Sequence, residues 1–155
     1  MFPFVSIRDL TKEVPMSLVN NQDAYVQYMI WEDGHENIKV RDHVLGYRFL
    51  LRLPNFRGNY LSCIEQLDFT LDGQPINSSA VTFLLNNKRF KPDELPQLFA
   101  EYWDCNDFAT IEISKEGGLS GKHNIQVLMR LRYAYSAYFG TCKVVTSQCC
   151  KDLQF

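Results

Sequence analysis

The clearest signal along the chain is a period of two. From Leu45 to Leu53 the apolar residues Leu45, Tyr47, Phe49, Leu51 and Leu53 share one face and Arg48 and Arg52 the other, until Pro54 stops the run. Successive side chains of a strand point to opposite faces, so this spacing predicts a half-buried strand. Leu67, Phe69 and Leu71 repeat the pattern and end at Asp72-Gly73, a strong turn signal. Ala109, Ile111 and Ile113 repeat it before Gly117-Gly118. The longest instance sets Ile125, Val127, Met129, Leu131, Tyr133 and Tyr135 against Gln126, Arg130, Arg132 and Ser136. Shorter strands are predicted at Val81 to Leu85, Lys88 to Phe90 and Lys143 to Thr146. A dense aromatic and β-branched run from Tyr25 to Trp31 predicts a first one.

Helical pattern is scarce. Only Pro92 to Phe99 starts like a helix, and Pro96 limits it to about one turn. About seven or eight one-sided strands must each cover an apolar face with another sheet, so the fold class is all-β, an antiparallel β-sandwich with little helix. Residues 1–24 are polar and irregular, with Pro3 and Pro15, and read as an arm preceding one sandwich domain over residues 25–155.

Composition narrows the picture. The 155 residues are 46% hydrophobic and 22% charged, enough apolar surface for one core. Sixteen basic against 18 acidic residues leave a net charge of −2, a poor footprint for nucleic acid. No apolar run approaches the ~20 residues of a membrane-spanning helix. Arg8, Asp9, Lys12 and Glu13 interrupt the stretch where a secretory leader needs continuous apolar residues, so the expected location is cytoplasmic. Five scattered cysteines then read as reduced thiols, with Cys149 and Cys150 in a tail. Asn77-Ser78-Ser79 fits a glycosylation sequon that such a location leaves unused.

Self-sufficient catalytic chemistry is hard to find. Gly118-Leu119-Ser120-Gly121-Lys122 fails as a nucleophile elbow because Lys122 stands where glycine is required. It reads as a hairpin or strand connection. His35, His43 and His123 have no metal-ligand spacing and read as surface or structural residues. Trp103-Asp104-Cys105-Asn106-Asp107 gathers oxygen-bearing side chains beside an aromatic ring, which suits a solvated loop better than a calcium or sugar site. The segment Leu53 to Ser62 is different: it places Asn55, Phe56, Arg57, Asn59 and Tyr60 directly after a well-formed strand, a common position for recognition. Two readings stay open there. In one, Arg57 pairs with a carboxylate and Phe56 caps the core; in the other, the loop faces a sugar or a partner.

Several short segments carry a family resemblance in order. The run Leu51 to Glu65, then Leu67-Asp68-Phe69-Thr70-Leu71-Asp72-Gly73 with Pro75, resembles the small β subunit of bacterial C-glycoside deglycosidases. Tyr102-Trp103-Asp104, Ala109 to Ile113, Glu116 to Leu119 with Gly121 and His123, and Arg130 to Tyr135 extend it over about Tyr28 to Val145. Two features depart: residues 1–24 are longer than the usual start, and Glu116-Gly117-Gly118 replaces a Pro-Gly-Gly turn.

The resemblance implies a β-sandwich that forms a hetero-oligomer with a barrel-type alpha subunit. That partner would carry the catalytic acid-base groups and a divalent metal, manganese by expectation, with none bound by this chain. Together they would cleave the carbon-carbon bond of a 3-oxo-C-glycoside of flavonoid type, a lyase reaction. The expected substrate- or partner-facing residues are Asn55, Phe56, Arg57 and Tyr60, with Trp103 next; no catalytic residue and no metal ligand is assigned. Two other readings compete. One is a stand-alone carbohydrate-binding sandwich, the other an assembly protein for a different barrel enzyme.

Overall fold

A computed structural model describes residues 25–133, 140 and 143–155; the expected arm of residues 1–24, with Tyr135, Ser136 and Cys142, lies outside them. Alternating sequence becomes alternating burial. The strands are β1 (Glu36–Val40), β2 (His43–Leu51), β3 (Asn59–Tyr60), β4 (Ile64–Leu71), β5 (Gln74–Pro75) and β6 (Val81–Leu85). They continue with β7 (Lys88–Phe90), β8 (Tyr102–Trp103), β9 (Ala109–Ser114), β10 (Lys122–Tyr133) and β11 (Lys143–Gln154). Three of these, β3, β5 and β8, are only two residues long, which leaves the longer strands at the predicted number.

One sheet has the order β1-β2-β9-β6-β7 and the other β11-β10-β4-β5, with β3 and β8 paired separately. Every pairing is antiparallel. The inward residues of β2, β6 and β9 and those of β4 and β10 form one continuous core. Phe49 of β2 meets Phe69 of β4 edge-on at 5.7 Å, a contact across the two layers. Turns obey local chemistry. Asp72-Gly73 and Asn86-Asn87 all hold positive φ, the requirement of two-residue hairpin loops whose twist matches the strands. Pro92–Gln97 forms the expected short helical segment, a 3-10 turn. Among the described residues no helix is long and apolar enough to cross a membrane.

The structure corrects four details. Tyr25 to Trp31 is not a strand: Tyr25 and Val26 open a helical turn, and only Ile30 bridges Leu51. Met29 and Ile30 are adjacent and both fully buried, which a pleated strand with one wet face does not allow. β1 was not predicted, because Glu36-Asn37-Ile38-Lys39-Val40 is an edge strand without an apolar face. Leu45 leaves the alternation and is 52% exposed, since Ile38 pairs with Gly46 and Lys39 with Val44, making Leu45 the extra residue of a β-bulge.

The fourth correction concerns the last strand. It runs to Gln154, paired residue for residue with β10, so Cys149 and Cys150 lie on a strand rather than a tail. Their side chains take opposite faces: Cys149 is buried, and Cys150 Sγ lies 3.1 Å from Asn124 Oδ1. The segment around Ser120, read as a hairpin or strand connection, is the connection: it joins β9 to β10, strands of different sheets.

One staple at the β10 entrance is sensitive to pH. Asp72 Oδ2 meets His123 Nδ1 at 2.6 Å, Asp72 Oδ1 accepts from Asn124 N at 2.8 Å, and His123 Nε2 lies 2.9 Å from Ser120 O. The His123 hydrogen bond and the Asn124 N–H hold the Asp72 carboxyl below its usual range, and the same carboxylate raises the His123 imidazole. The depressed carboxyl contributes fully above its unfolded value of about 3.9 and is lost as pH falls through the lower folded value. The raised imidazole contributes fully below its unfolded value of about 6.5 and is lost as pH rises through the higher folded one. Urea denaturation is therefore expected to show the largest difference between the native chain and Asp72→Asn between about pH 4 and 6.5, narrowing on both sides. A difference independent of pH contradicts the staple.

Candidate functional site

The Leu53–Ser62 segment follows β2, which ends at Leu51, and is tied down along its length. Asn55 Oδ1 accepts from Phe56 N at 2.8 Å, and Asn59 Oδ1 accepts from Tyr60 N at 2.9 Å. Asn59 Nδ2 donates to Arg132 O of β10 at 2.8 Å, across 73 residues of sequence. Pairing of β3 with β8 and a bond from Leu61 N to Glu101 O at 2.9 Å complete the tether. Gly58 permits close approach: a Cβ there would run into the Tyr102 hydroxyl and lie 2.7 Å from Trp103 O.

The predicted site residues separate by depth. Phe56 is exposed, with the Arg57 guanidinium carbon 5.4 Å from its ring centroid and the Tyr25 ring tilted against it at 6.3 Å. Tyr60 is exposed and pairs edge-on with Tyr102 at 5.3 Å. Asn55 is buried, only 6% exposed, and its Nδ2 has no hydrogen-bond acceptor. Trp103 sits elsewhere. It is fully buried, packs edge-on against Phe83 at 5.3 Å and donates from Nε1 to Asp107 O at 2.9 Å, so it floors the region rather than facing outward.

A group that sequence reasoning missed completes the site. Arg52, on the polar side of the β2 alternation, lays its guanidinium 5.6 Å from the Trp31 ring and 5.4 Å from Phe108, and donates to Cys105 O at 3.3 Å. Trp31 in turn contacts Phe108 at 5.3 Å and Tyr28 at 6.2 Å. Such cation-ring contacts contribute about 0.5–1 kcal/mol each where solvent reaches them. Between Tyr25, Tyr28, Arg52, Asn55, Phe56 and Asn106 opens a cavity of about 410 Å³. The signal was present in the aromatic density of Tyr25 to Trp31, but it was read as strand.

The donors lining this cavity are guanidinium, amide, phenol and thiol, with neither carboxylate nor imidazole. That set binds and orients. Among the described residues no three His, Cys, Asp or Glu side chains converge as a metal ion requires. Both ring nitrogens of His123 are already engaged, and His35 Nε2 lies 2.7 Å from Gln154 O. The segment after Trp103 is closed by its own bonds, Asp104 Oδ1 accepting from Asn106 N at 2.9 Å.

Comparison with known proteins places this architecture. The family model described as C-glycoside deglycosidase beta subunit matches residues 25–135. A C-glycoside deglycosidase beta subunit of Eubacterium cellulosolvens is 30% identical over 95 residues, covering 60% of this chain and 65% of that protein. The 3'-dehydrocarminate deglycosidase beta subunit of Microbacterium sp is 28% identical over 104 residues, covering 64% of this chain and 79% of that protein. The chain thus spans slightly under two thirds of the length of the first relative.

The tether yields a direct test. Gly58→Ala forces the loop away from the Trp103 carbonyl and is expected to destabilise the chain by about 1–3 kcal/mol, as overpacking does. Denaturant unfolding reads this, and a change below about 0.5 kcal/mol would show the loop free to move.

Proposed function

This chain belongs to the family of C-glycoside deglycosidase beta subunits, and from that premise we propose that it is the non-autonomous small subunit of a carbon-carbon lyase acting on 3-oxo-C-glycosides of flavonoid type. The observation that carries the reading is the rim of rings around the Leu53–Ser62 loop. Phe56, Tyr60 and Tyr102 are exposed there, Tyr25 and Phe108 flank them, and Phe99 is 72% exposed beside them. Aromatic residues are enriched at interface cores, and an exposed apolar patch marks an interaction surface.

In this proposal a barrel-type alpha subunit covers the rim and supplies the catalytic base. The ketone at sugar C3 acidifies the C2 proton, which the base removes. A C1–C2 double bond forms, the C1–aryl bond breaks, and the aryl carbon takes that electron pair and a proton. A divalent metal, manganese in this reading, belongs to the partner and supplies electrostatic stabilisation of negative charge on substrate oxygen. From this chain, Phe56 and Tyr60 offer ring faces and Arg57 and Asn55 offer donors at the subunit junction. A cytoplasmic location goes with this reading, in keeping with the unpaired thiols of Cys63, Cys105, Cys149 and Cys150.

Co-expression with a barrel-type alpha subunit, purification with manganese and an assay of aglycone release from a 3-oxo-C-glycoside test it. Cleavage by the pair and by neither chain alone is the expected result. The double variant Phe56→Ala, Tyr60→Ala is expected to weaken assembly more than tenfold, read as a dissociation constant. A monomer that ignores every barrel partner and binds glycans instead overturns the proposal in favour of a carbohydrate-binding module. Arg57→Ala in the intact pair is expected to lower turnover, and unchanged turnover removes Arg57 from the site.

A further inference from the structure

We infer that the cavity beside Phe56 is a binding site for a planar aromatic ring carrying an acceptor oxygen. Three rings border it, Tyr25, Tyr28 and Phe56, and its volume of about 410 Å³ suits a small molecule. The chemistry of the wall selects the ligand. Asn55 is 6% exposed, and its Oδ1 is committed to Phe56 N at 2.8 Å. Its Nδ2 lies buried with no acceptor among the described residues. Buried donors are nearly always satisfied, and leaving one unpaired is costly. A site holding such a donor favours ligands that bring an acceptor and rejects isosteres that lack one.

Arg52 adds a second preference. Its guanidinium is held against Trp31 and Phe108 and by Cys105 O, and no ion pair to it forms among the described residues. The positive charge at the cavity wall favours an electron-rich oxygen such as a phenolate or a ring carbonyl. Among the described residues no carboxylate lines the cavity to repel that oxygen. Three bordering rings and the donors of Asn55 and Arg52 therefore suit a ring with oxygen better than an aliphatic or cationic group. Under the proposed function the ring is the aromatic end of the substrate, and only that identification rests on the proposed function.

The test titrates the full chain, alone and in complex with its alpha partner, with 4-hydroxyacetophenone by calorimetry. Saturable one-to-one binding is expected in both states. Asn55→Asp keeps the oxygen that accepts from Phe56 N and replaces the amide donors by a second acceptor; it is expected to weaken binding at least tenfold. Tyr28→Ala removes an exposed wall without touching the core and is expected to weaken binding several-fold, which keeps the inference testable where the first variant fails to fold. Absence of saturable binding, or equal binding by both variants, overturns it. So does binding to the lone chain that vanishes in the complex, which would assign the cavity to a side chain of the partner. Binding of glucose in preference to the ring overturns it as well. An assembled, active pair that ignores the ring refutes only this inference, whereas a chain that binds the ring yet assembles with nothing refutes only the proposed function.

Discussion

Everything else in the molecule is laid against β10. Ile125, Val127, Met129, Leu131 and Tyr133 all point inward and are buried, and each fully buried apolar side chain of this kind contributes about 1.5–3 kcal/mol relative to exposure. The strand pairs on both sides, with β11 along its whole length and with β4 from Ile125 to Leu131. A one-residue slip would turn all five side chains to solvent, so the register of three strands is set together. Where the pairing with β4 shifts, Glu65 becomes the extra residue and meets Arg130 and Arg132 of β10 at 3.5 and 3.3 Å.

The same strand holds the Leu53–Ser62 loop. Arg132 holds Asn59 through its carbonyl oxygen and reaches Ser62 O and Glu65 through its guanidinium. These contacts hold the C-terminal end of the loop, from Asn59 to Ser62, against a core strand. The charged groups elsewhere are committed to structural pairs. Glu112 meets Arg48 and Arg89, Lys88 meets Glu101, and Asp72 meets His123. Exposed pairs of this sort contribute about 0–1 kcal/mol each and offer little for proton transfer. The exposed side chains of the loop and its neighbour β8 include the rings of Phe56, Tyr60 and Tyr102.

Much of this was legible before the coordinates. The core faces of β2, β4, β9 and β10 followed from alternation, and the turn at Asp72-Gly73 from residue type. The Leu53–Ser62 loop stood out because its donors and rings follow a strand that ends at Pro54. The misses share one cause, the absence of a one-sided pattern. β1 has no apolar face, β11 hides Ser147 and Cys149 among its inward positions, and Tyr25 to Trp31 is apolar throughout. Trp103 looked like a recognition ring because sequence gives residue type without depth.

Period two is a local property of the backbone, and so the chain by itself specified an antiparallel sandwich, its main strands and the candidate segment after β2. Family membership follows from the chain as well, through the matched residues 25–135. Depth and partnership are not local. Phe56 meets Tyr25 31 positions before it, Arg52 rests on Trp31 and Phe108 from either side in sequence, and Asn59 is held by Arg132. Trp103 became floor, and the Asn55 amide became an unpaired buried donor, only when distant segments closed over them. Burial depends on which surfaces meet in three dimensions, and those meetings are set by the packing of both sheets at once.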